Sequence, residues 1–210
     1  MIKKLLDKIT SSTEEEEQKI VLIDPSALSA QSEPDLRIIG MFCDINEEKV
    51  AEIIHAILYL NEMNKIEEDA DKKLPIEFYL STYGGSADDM FALYDLMRVV
   101  RRETEIHTVG LGKVMSAGVL ILAAGTKGHR YIGKNCRLMI HSVMGGNQGN
   151  LHDMLTEMDA IENLQQMFIE CLVAETDLTE SKIKKMLERK VNIYLSAEEA
   201  VKYGIADTIV

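Results

Sequence analysis

The chain has 210 residues, 46% of them hydrophobic and 28% charged, with a formal net charge of −12. That length suits one domain with a large core and is short for two, and the acidic balance excludes an overall basic footprint for nucleic acid. No uncharged apolar run is long enough to span a bilayer, and Val114–Ala124, the most apolar stretch, reads as a buried helix.

Residues 1–36 read as an N-terminal arm, mobile or facing a partner. Glu14–Glu17 is an acidic run, Pro25 and Pro34 with nearby serines mark turns, and a short strand is expected around Ile20–Ile23. The N-terminal apolar run is too short for a secretory signal. Cys43, Cys136 and Cys171 are odd in number and far apart, with no CxxC pair, so neither a zinc site nor a disulfide framework is indicated. A reducing compartment fits, and the expected location is the cytoplasm.

From Arg37 onward strands and helices alternate, which makes the fold class α/β. Arg37–Phe42 reads as a strand. Asn46 caps a helix with Glu47 and Glu48 in its first turn, and Val50, Ile53, Ile54, Ile57 and Leu58 form its apolar face. Pro75–Leu80 is a second strand, broken by Gly84-Gly85. Ser86 caps the next helix, which runs to about Arg102. Ile106–Gly110 is a strand followed by a glycine-containing turn and the buried helix from Ser116. His129–Ile132 and Arg137–His141 are two further strands. A long helix over 150–175 carries Leu151, Met154, Leu155, Met158, Ile161, Leu164 and Phe168 at helical spacing; this stripe either covers its own core or meets a neighbouring subunit. A shorter helix, a strand near Asn192–Leu195 and a small helix from Ser196 complete the chain. The basic pairs Lys3-Lys4, Arg101-Arg102 and Lys184-Lys185 read as helix ends or solvated faces.

Three features point to chemistry only when combined. Ser116 opens an apolar helix, where the helix N-terminus favours developing negative charge, and the small Ala117 and Gly118 leave room for a carbonyl. Taken alone, a serine there is usually a cap. Gly84-Gly85 lets backbone approach a ligand closely, and the amides of Gly85 and Ala117 are the expected oxyanion donors. Paired glycines by themselves mostly mark a tight turn. His141 ends an apolar strand and becomes a candidate general base once a nucleophile and oxyanion loop precede it. His55, His107, His129 and His152 lack such company. No metal site is expected.

The ordered set Leu80-Ser-Thr-Tyr-Gly-Gly-Ser86, Tyr94-Asp95, Gly112–Gly118, Leu122–Gly128, Arg137–His141, Gly145–Gly149 and Ser196–Asp207 resembles the Clp protease proteolytic subunit, over about Arg37 to Ile209. The resemblance maps the family's serine and histidine onto Ser116 and His141 with their spacing kept. It implies a crotonase-like superhelix of ββα repeats over 37–210, with a protruding handle helix at about 142–176. It also implies two stacked heptameric rings, a docked AAA+ unfoldase that feeds polypeptide substrates, and serine endopeptidase chemistry without a cofactor. No P-loop is present, so ATP would be hydrolysed by the partner.

Departures from the family pattern are local. Tyr83 stands where the family often has proline, and Ala117 where many members carry methionine. The family's triad aspartate falls on Asn192. An asparagine can hold the imidazole tautomer but carries no charge to stabilise the imidazolium; in the serine-protease triad that exchange costs roughly 10⁴ in rate. Three readings stay open: a Ser116-His141-Asn192 triad, which is favoured; an acid elsewhere such as Asp177; or dependence on an active paralogue in a mixed ring. Outside peptidase chemistry, the alternatives are a structural ring subunit that does not cleave and a crotonase-type acyl-CoA enzyme.

Overall fold

A computed structural model describes residues 36–146, 148–188 and 192–210. The arm expected at 1–36, with its strand around Ile20–Ile23, falls outside these residues save Leu36. Arg37–Val210 forms one unit. Its elements are β1 (Ile38–Met41), α1 (Glu47–Ile66), a 3₁₀ turn (Ala70–Lys72), β2 (Ile76–Thr82), α2 (Ala87–Val100), β3 (Ile106–Met115), α3 (Ala117–Ala123), β4 (Arg130–Ile132), β5 (Arg137–Ile140), α4 (Leu151–Glu175), α5 (Glu180–Leu187), β6 (Ile193–Leu195), α6 (Ala197–Lys202) and β7 (Thr208–Ile209).

The architecture is α/β, built on a seven-stranded sheet. Strands β1, β2, β3, β4 and β7 are parallel neighbours in that order, β5 adds in parallel to β3, and β6 pairs antiparallel with β5. Every second residue of β2, from Ile76 to Thr82, is buried, as a strand with one fully covered face requires. Helix caps follow the sequence: Asn46, Ser86, Asn150, Thr179 and Ser196 each accept a backbone N–H, and Ser196 with Glu199 completes a capping box.

Strand β3 departs from expectation in a way that matters for the site. No turn interrupts it at Gly110–Gly112; it continues to Met115, with Gly112 at φ 64°. Its first half pairs with β4 at Thr108–Gly110, and its last residues pair with β5 at Lys113–Met115. One long strand therefore serves two successive neighbours, and the glycine supplies the positive φ at the bend between them.

Two side-chain expectations are corrected. Leu58 is exposed rather than on the buried face of α1; Leu60, Asn61 and Asn64 take that place. The two asparagines are paid in hydrogen bonds: Thr104 Oγ1 donates to Asn61 Oδ1 at 2.8 Å, and Asn64 Nδ2 donates to Thr104 Oγ1 and to the Leu74 carbonyl. Arg101 ends α2 as its C-cap, as expected, but its side chain is not solvated. Its guanidinium forks onto Glu175, at 2.7 and 2.9 Å, and Glu175 is 2% exposed. On α4 only Phe168, Ile169, Leu172 and Glu175 are buried, so the N-terminal part of its apolar stripe has no partner within the described chain.

Candidate active site

Ser116 sits where β3 meets α3. It is the one non-glycine residue with positive φ among the described residues, at φ 54° and ψ −124°. Such a conformation costs on the order of 1–3 kcal/mol and is kept only where surrounding contacts impose it. Those contacts come from both flanks. The Ser116 N–H donates to the Met139 carbonyl of β5 at 2.7 Å, and the Ser116 carbonyl accepts from Val119 N–H in the first turn of α3. Although it occupies the cap position, its hydroxyl makes no capping hydrogen bond. The ordinary reading of a serine here, a helix cap, is thereby set aside.

The hydroxyl is instead turned to His141, the residue immediately after β5. His141 Nε2 lies 2.9 Å from Ser116 Oγ. Both residues are half-buried. The pairing of β3 with β5 sets this contact: with Met115 opposite Met139, the chain ends that follow each strand emerge side by side.

The glycine pair closes the opposite side. A side chain on Gly84 would begin 2.7 Å from Ser116 Cβ, and one on Gly85 would run into the Ile45 backbone; both have positive φ. Ile45 N–H donates to the Gly84 carbonyl at 2.8 Å, and Ser86 N–H donates to the Ile45 carbonyl at 3.0 Å. In an extended chain the groups between those two point the other way. The Gly85 N–H is therefore directed away from Ile45 and makes no backbone hydrogen bond among the described residues. Ala117, as the first residue of α3, has no intrahelical acceptor for its N–H. Gly85 and Ala117 thus offer two uncommitted amides at the cavity that Ser116 and His141 also line.

That cavity has a volume of about 260 Å³. Met90, Phe91, Leu164 and Phe168 give it apolar walls, and Tyr83 stands at its edge with Lys113 Nζ 4.5 Å from its ring centroid. None of these wall residues was anticipated. Leu164 and Phe168 carry the i, i+4 signature of any helix face, so the sequence could mark them as apolar without showing what they face.

Asn192 is exposed, and no hydrogen bond joins it to His141. The antiparallel register of β5 and β6, Leu138 with Leu195 and Ile140 with Ile193, carries forward to place Asn192 opposite His141. The ring's Nδ1 makes no hydrogen bond among the described residues. The other candidate orienter, Asp177, is corrected: its N–H donates to the Tyr203 carbonyl at 2.9 Å and its carboxylate lies against Gly204, with no bond to His141.

No described helix is long and apolar enough to cross a membrane. The Clp protease family model matches residues 30–210, which takes in every element named above. A serine–histidine contact flanked by two free amides lies inside that match, and the chain belongs to the Clp protease family.

Proposed function

We propose that this chain is the proteolytic subunit of an ATP-dependent Clp protease, a serine endopeptidase acting on unfolded polypeptides in the cytoplasm. The observation that carries the reading is the 2.9 Å contact between His141 Nε2 and Ser116 Oγ beside the free Gly85 and Ala117 amides. His141 takes the hydroxyl proton as Ser116 Oγ attacks the peptide carbonyl. The two amides receive the oxyanion, and one such donor is worth about 2.7–4 kcal/mol. His141 then protonates the leaving amine, and water releases the acyl-enzyme by the reverse use of the same groups. The cycle needs no cofactor. The apolar cavity walls suit an apolar substrate side chain next to the scissile bond.

Asn192 is the proposed orienter of His141. The β5–β6 register supports this: Ile140 pairs with Ile193, so His141 and Asn192 are the next residues on the two strands. In the assembled protein, α4 within 142–176 serves as the handle of a crotonase-like superhelix between two stacked heptameric rings. A AAA+ unfoldase docked on the rings supplies substrate.

A second reading, a ring subunit that does not cleave, is favoured by one observation: Nδ1 of His141 has no acceptor among the described residues. A crotonase-type acyl-CoA enzyme is disfavoured because no Asp or Glu lines the cavity among the described residues. Treatment of the assembled protein with a fluorophosphonate, read by intact mass, separates the two main readings. One adduct per chain on wild type and none on Ser116→Ala is expected. No adduct on wild type would assign the chain to the non-cleaving class.

A further inference from the structure

At the opposite end of β3 from Ser116 lies a second cluster of reactive side chains, away from the cavity. Thr108 pairs with Arg130, and Thr108 N–H donates to the His129 carbonyl at 3.1 Å, so the residues just before them, His107 in β3 and His129 at the entry to β4, stand side by side. Their rings are stacked with centroids 4.2 Å apart and planes within 3°. Glu105, one side-chain alternation before His107 on the same face, reaches both: its Oε2 is 2.9 Å from His107 Nε2 and 3.8 Å from His129 Nε2. The three ligand atoms lie within 4.8 Å of one another. Tyr131 Oη is 3.4 Å from His129 Nδ1, and Glu77 stands opposite His107 on β2, adding a second carboxylate to this face.

We propose that His107, His129 and Glu105 form a binding site for a divalent cation of the zinc class. Two imidazole nitrogens and a carboxylate oxygen are the donor set such ions prefer over calcium or magnesium. Bonds of about 2.0–2.1 Å at tetrahedral angles place donor atoms about 3.3 Å apart, and the two measured separations from Glu105 bracket that value. Three protein ligands leave one position for water, so the site is open. Binding tilts the two rings out of their stack so that both lone pairs meet at one point. The rings are half-buried and can turn without disturbing the core beneath, where Ile106 and Thr108 face inward. Tyr131 lies where an outer partner would fix the free nitrogen of His129. A bound ion cross-links the beginnings of β3 and β4. Nine positions, at most roughly 30 Å of strand, separate His107 from Ser116, and none of Glu105, His107 and His129 lines the cavity, so the site is independent of the peptidase reading.

The test is titration of the metal-stripped full chain with Zn²⁺ by calorimetry. One ion per chain is expected. His107→Ala and His129→Ala each weaken binding more than about 100-fold, beyond the 10–100-fold loss usual for an outer-shell partner, and Tyr131→Phe weakens it by about tenfold. His55→Ala, His152→Ala and His141→Ala leave it unchanged, and the His107 and His129 variants keep fluorophosphonate labelling of Ser116. In wild type, where no substitution can unfold the chain, Zn²⁺ should shield His107 and His129 from diethyl pyrocarbonate as read by peptide mass. Absence of stoichiometric binding, its survival in the His107→Ala/His129→Ala double variant, or shielding of other histidines instead overturns the proposal.

Discussion

Ser116 stores conformational strain at the point where its hydroxyl meets an imidazole, and His141 holds one ring nitrogen against it. The other nitrogen makes no hydrogen bond among the described residues, so none of them fixes the tautomer or gives the imidazolium a counter-charge. Asn192→Asp places a carboxylate at the register position opposite His141. It should raise kcat/KM on a fluorogenic peptide by at least about tenfold, with about 10⁴ as the ceiling set by the reverse exchange in a serine-protease triad. An unchanged or lower rate would remove Asn192 from the mechanism. The cysteines behave as separate thiols. Burial pushes Cys136 up to about 11, whereas Cys43 is exposed. Native alkylation at pH 8 should therefore modify Cys43 and spare Cys136, as read by peptide mass, because the thiolate is the reactive form.

Two ion pairs tie separate elements together. Glu175, at the buried end of α4, accepts both arms of Arg101 and the Tyr94 hydroxyl from α2. Removing the cation strands a buried carboxylate, so Arg101→Met should destabilise the fold by about 3–5 kcal/mol. The double variant Arg101→Met/Glu175→Leu should recover most of that loss, measured by urea unfolding. The second pair anchors β7 to β4: Arg130 binds Asp207 through Nε at 2.9 Å and Nη2 at 2.6 Å, and Asp207 also accepts the Gly128 and Arg130 N–H groups. Burial alone would raise the Asp207 carboxyl, but the bonds and charge of Arg130 outweigh it and hold the group below its ordinary value of 3.8. A depressed carboxyl contributes stability that is complete above its unfolded value and lost as pH falls through the folded one. The urea midpoint should accordingly drop as pH falls below about 4, and Asp207→Asn should flatten that drop while lowering stability at neutral pH.

At the scale of the whole molecule the main feature is the part of α4 that has no partner among the described residues. Leu155 and Met158 are 50% and 57% exposed, with Leu151 and Met154 beside them on the stripe. An amphipathic helix of this kind buries its apolar face against something, and the Clp family assembles as rings. Leu155→Glu/Met158→Glu should shift the protein to smaller species in sedimentation velocity while leaving its circular dichroism unchanged, since neither side chain belongs to the subunit's own core.

Local pattern was enough to place most elements. The caps Asn46, Ser86 and Ser196, the alternation in β2 and the helical spacing on α4 depend on neighbours a few residues apart, and such interactions are written directly in the chain. The resemblance in ordered motifs likewise singled out Ser116 and His141 before their contact could be seen. Long-range pairing was not legible in this way. That β3 runs through Gly110–Gly112 and changes neighbours, that Arg101 turns inward to Glu175, and that His107 and His129 stack all depend on which strands and helices lie side by side. Sheet register and buried charge pairing are properties of residues far apart in sequence, and no local propensity encodes them.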